Sequence, residues 1–206
     1  MIYEIRTYTL RPAATAEVER LLGEAYPERE KFSKLAGFFH TEIGPLNEVI
    51  HIWPYEDVAE RDRIRGEARA SGKWPPNIAD YILNQKVEIL HPWPFAPQWE
   101  PGAHGPVYEM RQYTFRAGAQ SRIMKEWEEM LPKRLEISPI ALLGHTEIGP
   151  HANSFIHIWP YPSIEERNQK RREAVQAGVW PPPSGRELFL TQSTKIMLPA
   201  AFSPAQ

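Results

Sequence analysis

The sequence predicts an α+β fold made of two copies of one β-α-β-β-α-β unit, and three observations lead there. Two six-residue strings recur: IHIWPY at Ile50–Tyr55 and Ile156–Tyr161, and HTEIGP at His40–Pro45 and His145–Pro150. YEIRTYTLR at Tyr3–Arg11 returns as YEMRQYTFR at Tyr108–Arg116, and GKWPP at Gly72–Pro76 as GVWPP at Gly178–Pro182. The offset drifts only from 105 at the first strand to 107 at the last (QKVEIL and QSTKIM, 192 − 85 = 107). So small a drift is that of a duplication with short loop insertions.

Each element follows from local pattern. Ile2–Leu10 alternates and is rich in Tyr, Ile and Thr, which predicts a strand. Ala14–Ala36 places Val18, Leu21, Leu22 and Ala25 on one apolar face, predicting a helix that Pro27 breaks in two. Phe38–Ile43 and Val49–Trp53 are predicted strands joined by the turn-rich GPLNE. A second helix is expected over Val58–Ala70, stopped by Ser71–Gly72, and a last strand over Gln85–Leu90. The proline-rich HPWPFAPQWEPGAHGP, His91–Pro106, predicts an extended linker whose Trp93, Phe95 and Trp99 lie on a domain surface. The predicted domains are 1–103 and 104–206.

The order β-α-β-β-α-β is ferredoxin-like, one four-stranded antiparallel sheet with both helices on one side. The other side is left bare and needs a partner. Two units in one chain satisfy each other if their sheets meet in a closed barrel.

Composition removes several function classes. Lys+Arg at 24 against Asp+Glu at 26 gives a net charge of −2, so no strong field draws nucleic acid or anionic lipid. The absence of cysteine excludes disulfides, thiolate catalysis and cysteine-bound zinc. No apolar run approaches the ~18 residues of a membrane span, and MIYEIRTYTLRP is not a signal peptide. A soluble, cytoplasmic protein is expected. P-loop, GxGxxG, HExxH and Ser-His-Asp patterns do not occur.

Alternation sorts the strand residues into two faces. Tyr3, Ile5, Thr7, Phe39, Thr41, Ile43, Ile50 and Ile52 share one face, expected to pack on the helices. The other collects Glu4, Arg6, Tyr8, His40, Glu42, His51 and Trp53, repeated as Glu109, Arg111, Tyr113, His145, Glu147, His157 and Trp159. This polar face is expected to point between the two sheets, so that both clusters share one interior. With a Gly44–Glu48 loop, Glu42 falls opposite His51 and His40 opposite Trp53, close enough for a carboxylate–imidazole hydrogen bond.

Two readings of that cluster stay open. In one it is a small-molecule site: His51 and His157 accept protons, oriented by Glu42 and Glu147. Arg6 and Arg111 hold an anionic oxygen, Trp53 and Trp159 form an apolar wall, and Tyr8, Tyr113, His40 and His145 complete the lining. The ligand is small and apolar or aromatic, no cofactor or metal is required, and the chain is expected to form a homodimer. His40, Glu42 and His51 also resemble a facial metal triad, but their spacing does not specify one. In the other reading the Glu–Arg–His network satisfies itself as a structural core of a non-enzymatic interaction module. The basic stripe Arg61, Arg65, Arg69 is expected to be a solvated face, and both WPP strings to anchor the chain after the helix.

YEIRTYTLRP followed by GFFHTEIGPLNEVIHIWPYEDVAERDRIR resembles the NIPSNAP domain. The second copy matches through YEMRQYTFRAG and GHTEIGPHANSFIHIWPYPSIEERNQKRR, departing where His151 and Ala152 stand in for Leu46. The resemblance covers nearly all of the chain outside the linker. It implies a dimeric α+β barrel completed within one chain. Eukaryotic members of that family are linked to mitochondria and to vesicle or mitophagy roles, without an agreed chemistry. Barrels of the class include cofactor-free monooxygenases, haem-degrading proteins and stress-response proteins, among which fold analogy does not choose. A cofactor-free oxygenase- or isomerase-like reaction is the enzymatic form of the first reading.

Overall fold

The computed structural model describes residues 1–99, 102, 104–183 and 185–206, with the backbone alone at 185 and 186. The first unit runs β1 (Ile2–Leu10), α1 (Thr15–Glu30), β2 (Gly37–Ile43), β3 (Glu48–Tyr55), α2 (Val58–Ala70), one 3-10 turn (Ala79–Tyr81) and β4 (Ile82–Pro92). The second runs β5 (Val107–Phe115), α3 (Gln120–Leu135), β6 (Leu142–Ile148), β7 (Ser154–Tyr161), α4 (Ile164–Gln176), the short α5 (Gly185–Leu188) and β8 (Phe189–Pro199). The eight strands close into one barrel in the order β1-β3-β2-β8-β5-β7-β6-β4, every neighbouring pair antiparallel. This is the α+β barrel expected of two ferredoxin-like repeats. The seams are β2 with β8 and β4 with β6. Both β2–β3 and β6–β7 hairpins lie at one end of the barrel. The boundary expected at 103/104 touches residues 100, 101 and 103, which lie outside the described residues.

Local chemistry accounts for the helices. Asp57 caps α2 by accepting from the Glu60 amide at 2.8 Å, and Ser163 caps α4 by accepting from Glu166 at 3.1 Å. Pro27 does not break the first helix; it lies within α1, near the C-terminal end at Glu30, as Pro132 does in α3. A proline so near the end removes one hydrogen bond and leaves little helix to disrupt.

The two sheet faces are reversed from the expectation. Ile5, Phe39, Ile50 and Ile52 do not meet the helices; they fill the barrel together with Tyr108, Met110, Ile156 and Ile158. Eight strands leave an interior that side chains just fill. Glu4, Arg6, Tyr8, His51 and Trp53 instead lie between the sheet and the helices, beside Val18, Leu22 and Ile64. The cause is α2. Only Ile64 and Ala68 of VAERDRIRGEARA are buried, too little apolar surface to cover an isoleucine face, while Arg61 and Arg65 supply counter-charges for Glu4. The two polar clusters therefore never meet; each lies in its own half.

The linker is also more buried than a surface strand would be. Trp93 enters the second-half core against Trp127 and Phe155, and Trp99 enters the barrel, stacked on Tyr108 at 6.1 Å. Ala205 occupies the corresponding place after the second unit. At the hairpin end, Glu88 with Lys86 and Gln112, and Glu48 with Lys195, lie along the strands' inner side. The two cavities described below open on the helix side of the sheet and not into the barrel interior.

Candidate functional site

In each half one carboxylate is surrounded by arginines. Glu4, wholly buried, accepts from Arg6 (3.0 Å), Arg61 (2.5 and 2.9 Å) and Arg65 (3.2 Å). Glu109, equally buried, accepts from Arg111 (2.9 Å), Arg167, Arg171 (3.4 Å) and the Thr194 hydroxyl (3.2 Å). Burial opposes its ionisation, but the Arg167 hydrogen bond and the charges of Arg171 and Arg111 outweigh it and hold Glu109 below the usual carboxylate range. Of the α2 stripe, Arg61 and Arg65 thus turn towards the sheet, whereas Arg69 stays exposed.

A further arginine in each half was not singled out by the sequence. Arg29 on α1 donates to Ser33 (2.8 Å) and Tyr55 (2.9 Å) and lies 4.2 Å over the Trp53 ring. Arg134 on α3 does the same with Ser138 (2.6 Å), Tyr161 (3.4 Å) and Trp159 (4.4 Å). Neither has a carboxylate among its described partners, and burial lowers both guanidinium pKa values. Among the described residues, Glu4 and the exposed Asp62 face four guanidinium groups in the first half, and Glu109 alone faces four in the second, an excess of positive charge at the edge of the core. An arginine on an amphipathic helix reads as surface, so the only available signal was its recurrence at the 105-residue offset.

The histidines are set by tryptophan rather than glutamate. Trp53 Nε1 donates to His51 Nδ1 at 2.6 Å, and Trp159 Nε1 to His157 Nδ1 at 2.5 Å. Indole only donates, so each Nδ1 is bare and each neutral ring carries its proton on Nε2. Burial, then the charges of Arg6, Arg65 and Arg29, push His51 well below 6.5; His157 is pushed down by burial and by Arg111, Arg171 and Arg134. Both Nε2 atoms are buried without a hydrogen-bond partner. The imidazoles present a donor, not the proton acceptor expected.

Glu42 and Glu147 do not reach them. The β2–β3 register places Phe38 opposite His51 and His40 opposite Val49, and β6–β7 places Leu143 opposite His157. Glu42 is exposed beside the hairpin, and Glu147, 63 % exposed, pairs with His91 at 2.7 Å across the β4–β6 seam. His40 binds Glu19 of α1 at 2.7 Å, and His145 stacks on His91 at 5.6 Å. The register is offset by four residues from the one that pairs Glu42 with His51, and this separates these four residues from the cluster. No three acidic or histidine side chains of the described residues converge on a metal-sized site.

Two cavities open onto the clusters. The first-half cavity, about 230 Å³, is lined by Arg6, Tyr8, Arg29, His51, Trp53, Arg65, Arg69 and Trp74. The second-half cleft is about 900 Å³ and includes Arg111, Tyr113, Trp127, Arg171, Arg172, Trp180 and Phe189. Both WPP strings form cavity wall: Trp74 packs on Trp53 at 6.1 Å, and Trp180 on Trp127 at 4.6 Å. Of the sequence-predicted residues, Arg6, Tyr8, His51, Trp53, Arg111 and Tyr113 face these spaces. His157 and Trp159 lie beneath Trp127 and Trp180.

A closed tandem α+β barrel with an arginine-rich layer between sheet and helices in each half defines the class. The NIPSNAP family model matches residues 3–97 and 108–204. The chain belongs to the NIPSNAP family. It is 27% identical to Protein NipSnap homolog 3B of Homo sapiens over 215 residues, covering 98% of this chain and 85% of that one. The Mus musculus homolog 3B is 29% identical over 216 residues, with the same coverage. A solved structure from Lactobacillus acidophilus superposes with TM-score 0.63 over 97% of this chain and 94% of its own. At 12% identity that likeness concerns the fold. No helix of the described residues is long and apolar enough to cross a membrane.

Proposed function

We propose that this protein binds a small organic anion with an aromatic or apolar body in the second-half cleft. The observation that carries the reading is the lining itself: Arg111, Arg171 and Arg172 beside Trp127, Trp180 and Phe189 in one space of about 900 Å³. Such a volume lies within the range of small-molecule sites, and the guanidinium excess favours a carboxylate or related oxyanion. The chemistry available there is electrophilic. Fixed cationic donors stabilise negative charge developing on an oxygen, as an isomerase- or oxygenase-like step through an enolate requires.

An aryl carboxylate such as 1-naphthoate is expected to quench tryptophan fluorescence saturably and to bind at least about tenfold more tightly than its neutral carbinol. Arg172→Gln, an exposed position on the cleft, lowers that affinity about two- to fivefold. Equal affinity for acid and carbinol would overturn the anionic part of the reading.

One observation favours a second reading, a non-enzymatic module with a structural polar core. Glu109 is fully engaged by its own arginines, and Trp127 covers His157. That reading expects no saturable binding of either probe.

Assembly into a homodimer is part of the proposal. Ile43, Leu83, Ile148 and Leu190 are exposed, and strand directions place all four at the hairpin end of the barrel, in pairs related by the repeat. Paired apolar patches suit a second copy. Light scattering is expected to give about twice 23.8 kDa at micromolar concentration; a mass near 23.8 kDa rejects the dimer.

A further inference from the structure

We infer that the two halves have diverged into chemically different sites, and that the first-half cavity is a separate site for a small oxyanion, a carboxylate or phosphoryl group with few further atoms. The inference does not depend on the aromatic ligand proposed for the second half.

The charged groups of this cavity are all donors. Arg6, Arg29, Arg65 and Arg69 line it, with the Tyr8 hydroxyl and the His51 imidazole between them. The carboxylate balancing part of this charge, Glu4, is not in the lining; it sits behind Arg6, Arg61 and Arg65. His51 adds a second observation: its Nε2 is unpartnered like that of His157, but only the His51 ring borders a cavity. It is 3 % exposed, its Nδ1 is taken by Trp53, and the Nε2 hydrogen has no partner although the ring borders the cavity. A buried N–H without an acceptor is costly, and an oxygen of a bound anion would satisfy it. The volume, about 230 Å³, lies below the range of sites for drug-sized molecules.

One position separates the halves. Leu22 of α1 corresponds to Trp127 of α3 at the 105-residue offset. Leu22 leaves His51 in contact with the cavity, whereas the Trp127 ring stands edge-on to His157 with centroids 4.8 Å apart, and His157 is absent from the cleft lining. The substitution closes the imidazole donor in the second half and puts an aromatic wall in its place. Leu22 and Trp127 are thus the specificity-determining pair: the leucine admits a small anion to the histidine, and the tryptophan builds a larger apolar surface.

The test titrates the full chain with inorganic phosphate and with malonate, using calorimetry and the ring signals of His51, assigned through His51→Gln. At least one anion is expected to bind with a stoichiometry of one and to shift the His51 Nε2–H resonance; which of them does so identifies the phosphoryl or carboxylate class. Leu22→Trp is expected to weaken that binding about tenfold or more while leaving 1-naphthoate binding intact. Should Leu22→Trp not fold, Arg69→Gln, at an exposed position, is expected to weaken it about two- to fivefold. Trp127→Leu is expected to raise the stoichiometry to two and to bring a His157 shift. The proposal is overturned if neither anion moves the His51 signal at saturation. It is equally overturned if the foldable variants bind as the wild type does. Loss of naphthoate binding with the His51 response retained would sink the second-half reading alone.

Discussion

Glu4→Gln lowers the stability of the folded chain by about 3 kcal/mol. The amide keeps the shape and one acceptor but removes the charge that Arg6, Arg61 and Arg65 share, leaving Arg61 the exposed Asp62. Orphaning buried charges costs about 3–5 kcal/mol; the low end applies because Arg61 and Arg65 retain some solvent. Urea denaturation at pH 7 measures the change. Glu109→Gln should behave alike in the second half, where Arg111, Arg167 and Arg171 are left together. Added phosphate should restore part of the loss in Glu4→Gln by supplying a negative charge to the same guanidinium groups. A loss below about 1 kcal/mol would show that solvent screens the cluster almost completely.

Acidification below pH 6.5 should cost stability through the two buried imidazoles. In the folded chain His51 and His157 stay neutral well below 6.5, held there by burial and by neighbouring arginines, whereas in the unfolded chain they take up protons near 6.5. Their contribution is therefore complete above 6.5 and is lost as pH falls from 6.5 towards the folded values. The slope approaches about 1.4 kcal/mol per pH unit for each histidine. His40 has the opposite sign: its hydrogen bond to Glu19 raises the pKa, so its stabilisation is present below 6.5 and fades as pH rises through the folded value. Comparing wild type with the His51→Gln/His157→Gln double variant cancels His40 and His145. Urea midpoints at pH 7.5, 6.5 and 5.5 should fall steeply in the wild type and much less in the double variant. Parallel curves would mean that both rings protonate freely in the folded state. The depressed Glu109 acts in the same direction at lower pH, its share intact above 4.5 and lost as pH falls through its folded value.

The repeat made the architecture legible. Once two β-α-β-β-α-β units are recognised, a closed eight-stranded barrel is the economical way to cover two bare sheets, and the strand alternation identified which residues travel together. It did not say which face turns inwards. Isoleucines suit a barrel interior and a helix interface equally well, and the decision rested on α2. VAERDRIRGEARA offers Ile64 and Ala68 but repeats arginine every four residues, a pattern that matches Glu4 rather than Ile52. Reading strand and helix together would have oriented the sheet; reading each alone did not. Glu42 was misplaced for a different reason. Register depends on where a hairpin closes, and sequence spacing leaves it open by several residues. Arg29 and Arg134 were missed because a lone arginine on a helix declares neither burial nor partner, and WPP because prolines after a helix usually only end it.

The seam between β2 and β8 joins residues far apart along the polypeptide: Phe39 faces Pro199, and the Phe38 amide donates to the Ser203 hydroxyl at 2.9 Å. During synthesis, the first unit is complete in sequence once residue 92 has emerged, yet its β2 edge and isoleucine face must wait for residues 196–203. Through that interval it is a half-barrel with an open edge beside the ribosome, the kind of surface that nascent-chain chaperones hold. On crowded polysomes the second unit of a neighbouring chain presents the same complementary edge. Exchange of units between two chains would reproduce every strand pairing, so the identity of a barrel as one molecule is set by the high local concentration that the 93–106 connection gives its own second unit.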